Sequence, residues 1–267
     1  MLRILGIVLK TVGYAVLVLA ALLAAYVFWL SGSSHEPVGI RAAATYTSPG
    51  GPVLVFGGNR ATGLEVVKRL KARGEQVTVA VRPTSDTAAL RELGVATVVA
   101  DAMDAEQVRA AVAAGGYAAV ISTLGTGRGD KTRRPDFEGN RNAIDAAAAA
   151  GVKRFVLVTV VGTGDSWETA PAPSRRFLKE VIALKGRAED HLRASGLDYT
   201  IIRPGGLGDV KATGTAVLAD DPKAFSYIAR GDLAELVVQA LGDPATAGKI
   251  YNAYDPSRRT LWKMFND

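Results

Sequence analysis

The sequence predicts a doubly wound α/β fold with a parallel sheet, preceded by one N-terminal transmembrane helix. Short runs of Val, Ile and Ala alternate with helix-length amphipathic segments from Pro52 onward, and a glycine-rich turn follows the first run. An uncharged apolar stretch fills residues 11–30. Runs that lack polar–apolar alternation are typical of strands buried on both faces, as in a parallel sheet covered by helices.

The composition excludes several classes of protein. Apolar residues make up 48% and charged residues 22% of the chain, which is typical of a folded protein rather than a disordered one. Because there is no Cys and there are only two His residues, we expect neither disulfides nor a metal site. The net charge of +6 is too small to indicate a nucleic-acid partner.

Residues 11–30 have the length and character of a single membrane crossing. Twenty residues without a charge, as a helix, match the roughly 30 Å hydrocarbon core of a bilayer. Tyr26, Phe28 and Trp29 lie at the far end, where aromatic rings favour the headgroup layer. We therefore predict a retained anchor and a single-pass membrane protein. A buried core helix is one alternative, and a signal peptide cleaved within residues 31–33 is another, although its apolar region usually has about 7–15 residues.

The next stretch, residues 31–51, is rich in Ser, Gly and Pro and shows no sustained periodicity. Such a composition is typical of a flexible linker. The chain is therefore predicted to divide into an anchor at residues 1–30, a linker at 31–51 and one domain at 52–267.

Strands and helices are predicted to alternate within this domain. Each strand is a short run rich in Val, Ile or Phe, and each helix carries apolar residues at helical spacing. The strands are predicted at 52–57, 76–81, 95–100, 117–123, 154–160, 198–204 and near 249–253. The helices are predicted at 61–73, 86–93, 104–114, 136–151, about 174–195 and near 231–242.

The turn after the first strand has the character of a dinucleotide-binding (Rossmann) loop. Glycine at a strand end permits a tight turn, small residues let backbone amides approach a pyrophosphate, and the following helix N-terminus adds partial positive charge. Neither Arg60 nor Ala61 is the central glycine of such loops, and an ordinary glycine-rich turn is the alternative. The predicted cofactor-binding residues here are Gly57, Gly58, Asn59, Arg60, Ala61, Thr62 and Gly63.

Together with this turn, five later segments resemble the short-chain dehydrogenase/reductase superfamily, and specifically its atypical NmrA-like branch, which includes flavin and biliverdin-type reductases. The resemblance extends over residues 52–255. It implies a Rossmann fold that binds NAD(P)(H). The segments are DAMD (101–104), STLGT (122–126), GNRNAIDAAAAAGVKRFVLVT (139–159), KGRAEDHLRASGLDYTIIRPGGL (185–207) and YIARGDLAELVVQAL (227–241).

The end of the second strand indicates which cofactor is bound. Arg82 stands there, about 25 residues beyond Gly57, where NAD enzymes usually place an acid. The planar guanidinium of an Arg suits the 2′-phosphate of NADP(H), and Arg60 is a second basic candidate. These two residues favour NADP(H) over NAD(H), with solvated surface arginines as the alternative.

The resemblance also implies further cofactor contacts. Asp101 is expected near the adenine, with a helix N-cap role as the alternative or in addition. The remaining residues implied are Ala102 beside Asp101, Thr123, Leu124 and Gly125 along the ribose side, and Pro204, Gly205 and Gly206 beside the nicotinamide carboxamide.

The catalytic pattern of the superfamily, Tyr-x-x-x-Lys, is incomplete. Lys185 matches the lysine, which is implied to hold the ribose, but Val181 occupies the place of the tyrosine. Thr159 stands at the end of the fifth predicted strand, where the superfamily usually has a serine, and Thr163 lies just beyond it. They are the candidate hydrogen-bond donors to a substrate, with a purely structural role as the alternative.

Two functions follow from this pattern. The first is an NADPH-dependent reductase of a flavin, a quinone or another conjugated acceptor that needs no phenolic proton, with its domain facing the cytoplasm, where NADPH is supplied. The second is a non-catalytic NADP(H)-binding redox sensor or membrane-complex scaffold. The acceptor is expected to be anionic or lipid-soluble, because an anchor at 11–30 suits a quinone and cations flank the expected mouth, unless these are ordinary solvated loop charges. The cations are Arg128, Lys131, Arg133, Arg134, Arg175, Arg176 and Lys179.

Overall fold

The computed structural model describes residues 2–30, 33–41, 45–126 and 134–265, and the side chains within these ranges except those of residues 2–9, 26–30, 262 and 265. The helices are α1 (Leu2–Leu30), α2 (Ala61–Ala72), α3 (Ala88–Glu92), α4 (Ala105–Ala113), α5 (Glu138–Ala149), α6 (Ala172–Phe177), α7 (Lys179–Arg193), α8 (Arg230–Leu241) and α9 (Leu261–Phe265). The strands are β1 (Ile40–Arg41), β2 (Val53–Phe56), β3 (Val77–Val81), β4 (Ala96–Val99), β5 (Ala119–Ser122), β6 (Arg154–Val158), β7 (Asp198–Pro204), β8 (Gly206–Gly208), β9 (Val217–Ala219), β10 (Tyr227–Ala229) and β11 (Lys249–Tyr254). Short 3₁₀ helices lie at Gly164–Thr169 and Pro244–Thr246.

The main sheet has the strand order β1-β9-β11-β7-β6-β5-β2-β3-β4. All neighbours from β11 to β4 are parallel, whereas β9 is antiparallel to both β11 and β1. From β2 the chain fills one side with β3 and β4 and then returns to fill the other side from β5 onward. This is the order of a doubly wound dinucleotide-binding sheet, and it confirms the predicted α/β fold.

The hydrophobic core lies in two layers because β2 is buried on both faces. Val53 and Val55 pack with α2 and α8, whereas Leu54 and Phe56 pack with α4, α5 and α7. All four side chains are at most 1% exposed. The uninterrupted apolar run in the sequence therefore reflects helices on both faces of the sheet.

The predicted strands and helices of the domain are present within a few residues, with one difference in the helices. The single helix predicted at about 174–195 is two helices, α6 and α7, because Leu178 leaves the helical conformation between them. The strands β1, β8, β9 and β10 were not predicted. Each has only two or three residues, which is too short to produce a recognisable pattern.

The membrane anchor predicted at residues 11–30 is not supported. No helix in the described part of the chain combines the length and the apolarity that crossing a bilayer requires. The predicted anchor and the single-pass membrane localisation with a cytoplasm-facing domain are therefore wrong. The side chains of Tyr26, Phe28 and Trp29, and residues 31 and 32 of the alternative cleavage site, lie outside the described ones.

Part of the segment predicted as a linker, residues 31–51, lies against the domain. Strand β1 within it pairs with β9 at the sheet edge. The imidazole of His35 is 2.7 Å from the carboxylate of Asp221, and the hydroxyl of Tyr46 donates a hydrogen bond of 2.9 Å to Glu75. The composition of residues 31–51 predicts a free linker because it contains no sign of these contacts. The partner residues are far away in the sequence.

Candidate functional site

The carboxyl ends of β2 and β5 lie side by side at the point where the strand order reverses. The chain leaves β2 through α2 toward β3, and it leaves β5 through α5 toward β6, on the other side. Thr123, just after β5, donates hydrogen bonds of 3.2 Å to the carbonyl oxygens of Phe56 and Gly57, just after β2. A crevice at such a reversal is where ligands bind in open parallel sheets.

The glycine-rich turn packs tightly at this crevice. Gly57 has a φ of +78°, a conformation that favours glycine. A Cβ on Gly63 would lie 2.1 Å from the carbonyl oxygen of Gly57, so the first turn of α2 packs against the end of β2 only with glycine there. Gly58 and Thr62 are buried beneath the turn. The backbone of the turn is therefore exposed to a ligand without side chains in front of it.

Ala61 occupies the place of the central glycine, and its backbone is left-handed. Its φ is +49°, and no other non-glycine residue in the described part of the chain has a positive φ. For an L-residue this conformation costs about 1–2 kcal/mol. Arg60, at the N-cap of α2, makes no side-chain capping hydrogen bond. The first amides of α2 therefore remain available to a phosphate.

The loops that carry Arg60 and Arg82, the two candidates for binding a 2′-phosphate, are joined by a hydrogen bond. The side-chain amide of Asn59 donates a hydrogen bond of 3.3 Å to the carbonyl oxygen of Asp86, so the glycine turn is linked to the loop after β3. Arg60 and Arg82 are exposed on these two loops, and within the described residues neither guanidinium has a carboxylate partner. Two unpaired guanidinium groups at adjacent strand ends can bind a phosphate.

Asp101 and Ala102 follow β4 at the same edge of the sheet. One carboxylate oxygen of Asp101 accepts a hydrogen bond of 3.0 Å from the amide of Met103. The N-cap of α4 is Asp104, whose carboxylate accepts the amides of Glu106 and Gln107. Asp101 is therefore not the helix cap that the sequence offered as an alternative.

The ammonium group of Lys185 lies at the other end of the crevice. It donates hydrogen bonds to the carbonyl oxygens of Leu124, at 2.9 Å, and Val158, at 3.3 Å. It is 3.7 Å from a carboxylate oxygen of Asp136, and a Cβ on Gly125 would lie 3.6 Å from it. Burial lowers the pKa of Lys185, and the charges of Asp136 and Glu189 oppose this effect. The predicted ribose-binding lysine is thus at the loop after β5.

Thr159 and Thr163 lie in a buried polar cluster. Both hydroxyls donate hydrogen bonds of 2.6 Å to the same carboxylate oxygen of Glu189. The other oxygen of Glu189 is 2.6 Å from the guanidinium of Arg203, which also pairs with Asp165. The structure thus gives both threonine hydroxyls a carboxylate acceptor within the protein, and their role as donors to a substrate stays a prediction.

The turn Pro204-Gly205-Gly206 lies at the end of β7, two strands from β5. A Cβ on Gly205 would be 2.0 Å from the carbonyl oxygen of Ser226, so the turn packs directly against the segment before β10. Val181 is half-buried on α7, one turn before Lys185. No phenol stands at that position to donate a proton.

The surface around residues 167–179 has both exposed aromatic side chains and cations. Phe177 is 81% exposed and Trp167 is 37% exposed. The guanidinium of Arg175 lies 5.8 Å from the centre of the Trp167 ring and pairs with Glu168, and Arg134 pairs with Glu180 at 3.1 Å. Arg176 and Lys179 are exposed, and Arg128, Lys131 and Arg133 lie outside the described residues.

Sequence reasoning missed the importance of Asp136 and Arg203. Both are buried, at 0% and 3% exposure, and both pair with groups on α7. Asp136 stands in a stretch of mixed charge, which is typical of a solvated loop. Its only signal is its place just before the GNRNAIDAA segment, and that signal does not identify a partner.

The strand order, the glycine turn at the reversal and the buried lysine beside it define a Rossmann protein that binds a dinucleotide. A family model described as NAD(P)H-binding matches residues 57–244, and the chain belongs to this family. This confirms the resemblance to atypical short-chain dehydrogenases/reductases, and the cofactor is a nicotinamide dinucleotide.

Several proteins are similar to this chain. The uncharacterized sugar epimerase YhfK of Bacillus subtilis (strain 168) is 34% identical over 206 residues, which cover 75% of this chain and 92% of that protein. Sanguinarine reductase of Eschscholzia californica is 40% identical over 135 residues, 46% of each protein. The solved structure of the anaerobilin reductase ChuY from Escherichia coli O157:H7 has a TM-score of 0.69 and 32% identity, covering 77% of this chain and 97% of that one.

Proposed function

We propose that this protein is an NADPH-dependent reductase of a flavin, a quinone or a similar conjugated acceptor. The observation that carries the proposal is the position of the Lys185 ammonium beside Gly125, at the end of the crevice opposite Arg60 and Arg82. A dinucleotide with its pyrophosphate on the turn at residues 57–63 would extend between these two ends. The names of two similar proteins, an anaerobilin reductase and a sanguinarine reductase, support reductase chemistry.

Arg60 and Arg82 support the preference for NADPH over NADH. Both are exposed at the carboxyl ends of neighbouring strands, on loops joined by Asn59 and Asp86. A 2′-phosphate would find two guanidinium groups there and no carboxylate at the end of β3 to repel it. Asp101, after β4, would face the adenine from the same edge of the sheet.

The residues at the other end would position the nicotinamide rather than exchange protons. Bound NADPH supplies a hydride, and because Val181 offers no acidic proton, the proton that completes the reduction comes from solvent. Lys185 would hold the nicotinamide ribose, and the turn at 204–206 would contact the carboxamide. Acceptors whose reduction depends on simultaneous protonation of a carbonyl should therefore be poor substrates.

The mouth of the site supports a flat, anionic acceptor. Trp167 and Phe177 present aromatic surface, and the exposed Arg176 and Lys179 lie beside Phe177 in the sequence and supply positive charge. Aromatic rings stack on conjugated molecules, and guanidinium groups pair with carboxylates or phosphates.

A non-catalytic NADP(H)-binding sensor is a second candidate, and the missing phenol at Val181 favours it. The full chain should be titrated with NADPH and NADH, and NADPH oxidation should then be followed with a flavin, a water-soluble quinone, anaerobilin and sanguinarine, with simple aldehydes as controls. The reductase proposal predicts tight NADPH binding and oxidation with at least one conjugated acceptor but not with aldehydes. Tight binding with oxidation no faster than the buffer blank for every acceptor would favour the sensor.

A further inference from the structure

Asp136 is a fully buried carboxylate in the turn that leads into α5. It has 0% exposure, and one of its oxygens accepts hydrogen bonds from the backbone amide of Thr126, at 3.0 Å, and from the Thr126 hydroxyl. The other oxygen, Oδ1, has no hydrogen-bond partner within the described residues. A buried charged oxygen without a partner is costly unless an opposite charge balances it.

The group that faces Oδ1 is the ammonium of Lys185, 3.7 Å away. This distance is within ion-pair range but longer than a hydrogen bond. The ammonium itself is fixed by the carbonyl oxygens of Leu124 and Val158. Lys185, Asp136 and Thr126 therefore form a chain of contacts that connects α7 to the loop at residues 123–126.

Charged groups face Lys185 from two elements. Asp136 approaches from the turn before α5, and Glu189 lies one turn further along α7 itself. Glu189 is already neutralised by Arg203 on β7 and accepts both threonine hydroxyls. Asp136 is therefore the carboxylate whose charge is left to balance the buried ammonium.

We propose that Asp136 is a positioning residue: its carboxylate holds the Lys185 ammonium and, through Thr126, fixes the 123–126 loop that would carry the nicotinamide end of the cofactor. This inference rests on the proposed function, because it concerns the same site. It gives the site a Lys185–Asp136 pair in place of the lysine–tyrosine pair of related reductases.

The test is a double-mutant cycle with Asp136→Asn and Lys185→Met, measured as NADPH affinity of the full chain. Asn keeps the shape of Asp and can still accept the Thr126 amide, so the change removes the charge and replaces the oxygen that faces Lys185 with an NH2 group. We expect Asp136→Asn to weaken NADPH binding about tenfold when Lys185 is present and to have little effect when Lys185 is Met. Asp232→Asn is the matched control. Asp232 is also buried and accepts backbone amides, those of Thr213 and Gly214, and it lies on α8, which packs on the other face of the sheet from α5 and α7.

A second readout does not depend on the cofactor. The ¹³Cε resonance of Lys185 can be titrated by NMR in the protein without ligand. Asp136→Asn removes the opposing negative charge, so the pKa of Lys185 should move further below its ordinary value, whereas Asp232→Asn should leave it unchanged.

The outcomes separate this inference from the proposed function. If the wild type does not bind NADPH, the proposed function fails, while the Lys185 titration still reports on the pair. If the wild type binds NADPH but Asp136→Asn has the same effect with and without Lys185, or leaves the Lys185 titration unmoved, the positioning role is refuted. If Asp136→Asn does not fold, the stability of Lys185→Met decides. That variant leaves the buried carboxylate without its cation, so its stability relative to wild type should increase on acidification, and an unchanged difference would refute the pair.

Discussion

The side-chain amide of Asn59 and the backbone carbonyl of Asp86 are joined by a hydrogen bond of 3.3 Å. This contact links the glycine turn after β2 to the loop after β3. Arg60 is next to Asn59 in sequence, and Arg82 begins the second loop. The link therefore limits how far the loops that carry the two arginines can separate at the end of the crevice where the proposed function places the adenosine.

Arg82→Ala should weaken NADPH binding and leave NADH binding nearly unchanged. A charge-assisted hydrogen bond to a phosphate contributes about 1.5–3 kcal/mol, which corresponds to roughly tenfold to a hundredfold in affinity. Titration calorimetry with both cofactors measures the difference. Arg91→Ala, an exposed arginine on α3, is the control. An equal loss of affinity for NADPH and NADH would show that Arg82 does not determine the preference.

Ala61→Gly should be neutral or should stabilise the protein by up to about 1 kcal/mol. Glycine removes the strain of the left-handed backbone at φ +49°, which offsets the larger entropy of the unfolded chain. Ala110→Gly, at an exposed position inside α4, should instead destabilise by about 1 kcal/mol. Urea unfolding of the two variants compares them, and equal losses would mean that Ala61 is not strained.

We expect substitution of the threonines that contact Glu189 to lower the stability of the protein without lowering its turnover. Thr159→Val and Thr163→Val should each reduce the free energy of unfolding by about 1.5 kcal/mol, because each removes a hydrogen bond to a buried charge. Glu189→Gln should cost about 3 kcal/mol, because Arg203 loses its buried partner. Turnover per folded molecule should be retained in the threonine variants. A fully stable threonine variant with greatly reduced turnover would support the catalytic role that the sequence suggests.

The contact between His35 and Asp221 predicts acid sensitivity at the sheet edge. Burial raises the pKa of Asp221, but hydrogen bonds from His35 and from the amides of Lys223 and Val38 outweigh this and leave the pKa below its usual value. A lowered pKa contributes stability above the unfolded value of about 4, and that stability is lost as the pH falls through the folded value. Asp221→Asn should therefore flatten the acid limb of the stability curve and speed hydrogen exchange at Val38. Unchanged exchange at Val38 would show that Asp221 does not hold the segment.

The missing phenol can be restored by Val181→Tyr, which recreates Tyr-x-x-x-Lys with Lys185. The variant should gain reduction of simple aldehydes, since a phenol one helical turn from Lys185 can donate the proton.

Lys185→Ala should instead lower turnover substantially without changing the shape of the pH profile, because positioning errors near 1 Å cost about a hundredfold. A changed pH profile in Lys185→Ala would mean that the lysine itself transfers the proton.

The sequence predicts which residues of the candidate site lie near the carboxyl ends of strands. Each of these parts lies at the end of a predicted strand or just after it, and parallel strands bring their carboxyl ends to one edge: the turn at 57–63, Arg82, Asp101, Thr123 and Pro204. The departure at Ala61 was visible as a missing glycine, and its left-handed backbone shows that the turn requires at this place a conformation that glycine adopts without strain.

The parts that could not be predicted depend on contacts between distant residues. Thr159 and Glu189 are 30 residues apart, and Lys185 and Leu124 are 61 apart. Nothing local distinguishes a threonine that donates to a substrate from one that donates to a buried glutamate. The anchor was inferred from the uncharged length of residues 11–30 and the aromatic residues at their far end, and the described part of α1 does not meet the requirements of a membrane crossing.

Hydride transfer is the central claim, and a single-turnover experiment tests it most directly. The full chain is loaded with NADPH, or with NADPH in which both C4 hydrogens of the nicotinamide are deuterium, and is mixed with excess conjugated acceptor in a stopped-flow instrument. We predict NADPH oxidation faster than the buffer blank, and slower with deuterium than with hydrogen because the C4–H bond breaks in this step. A protein that binds NADPH but oxidises it at the rate of the blank would contradict the account.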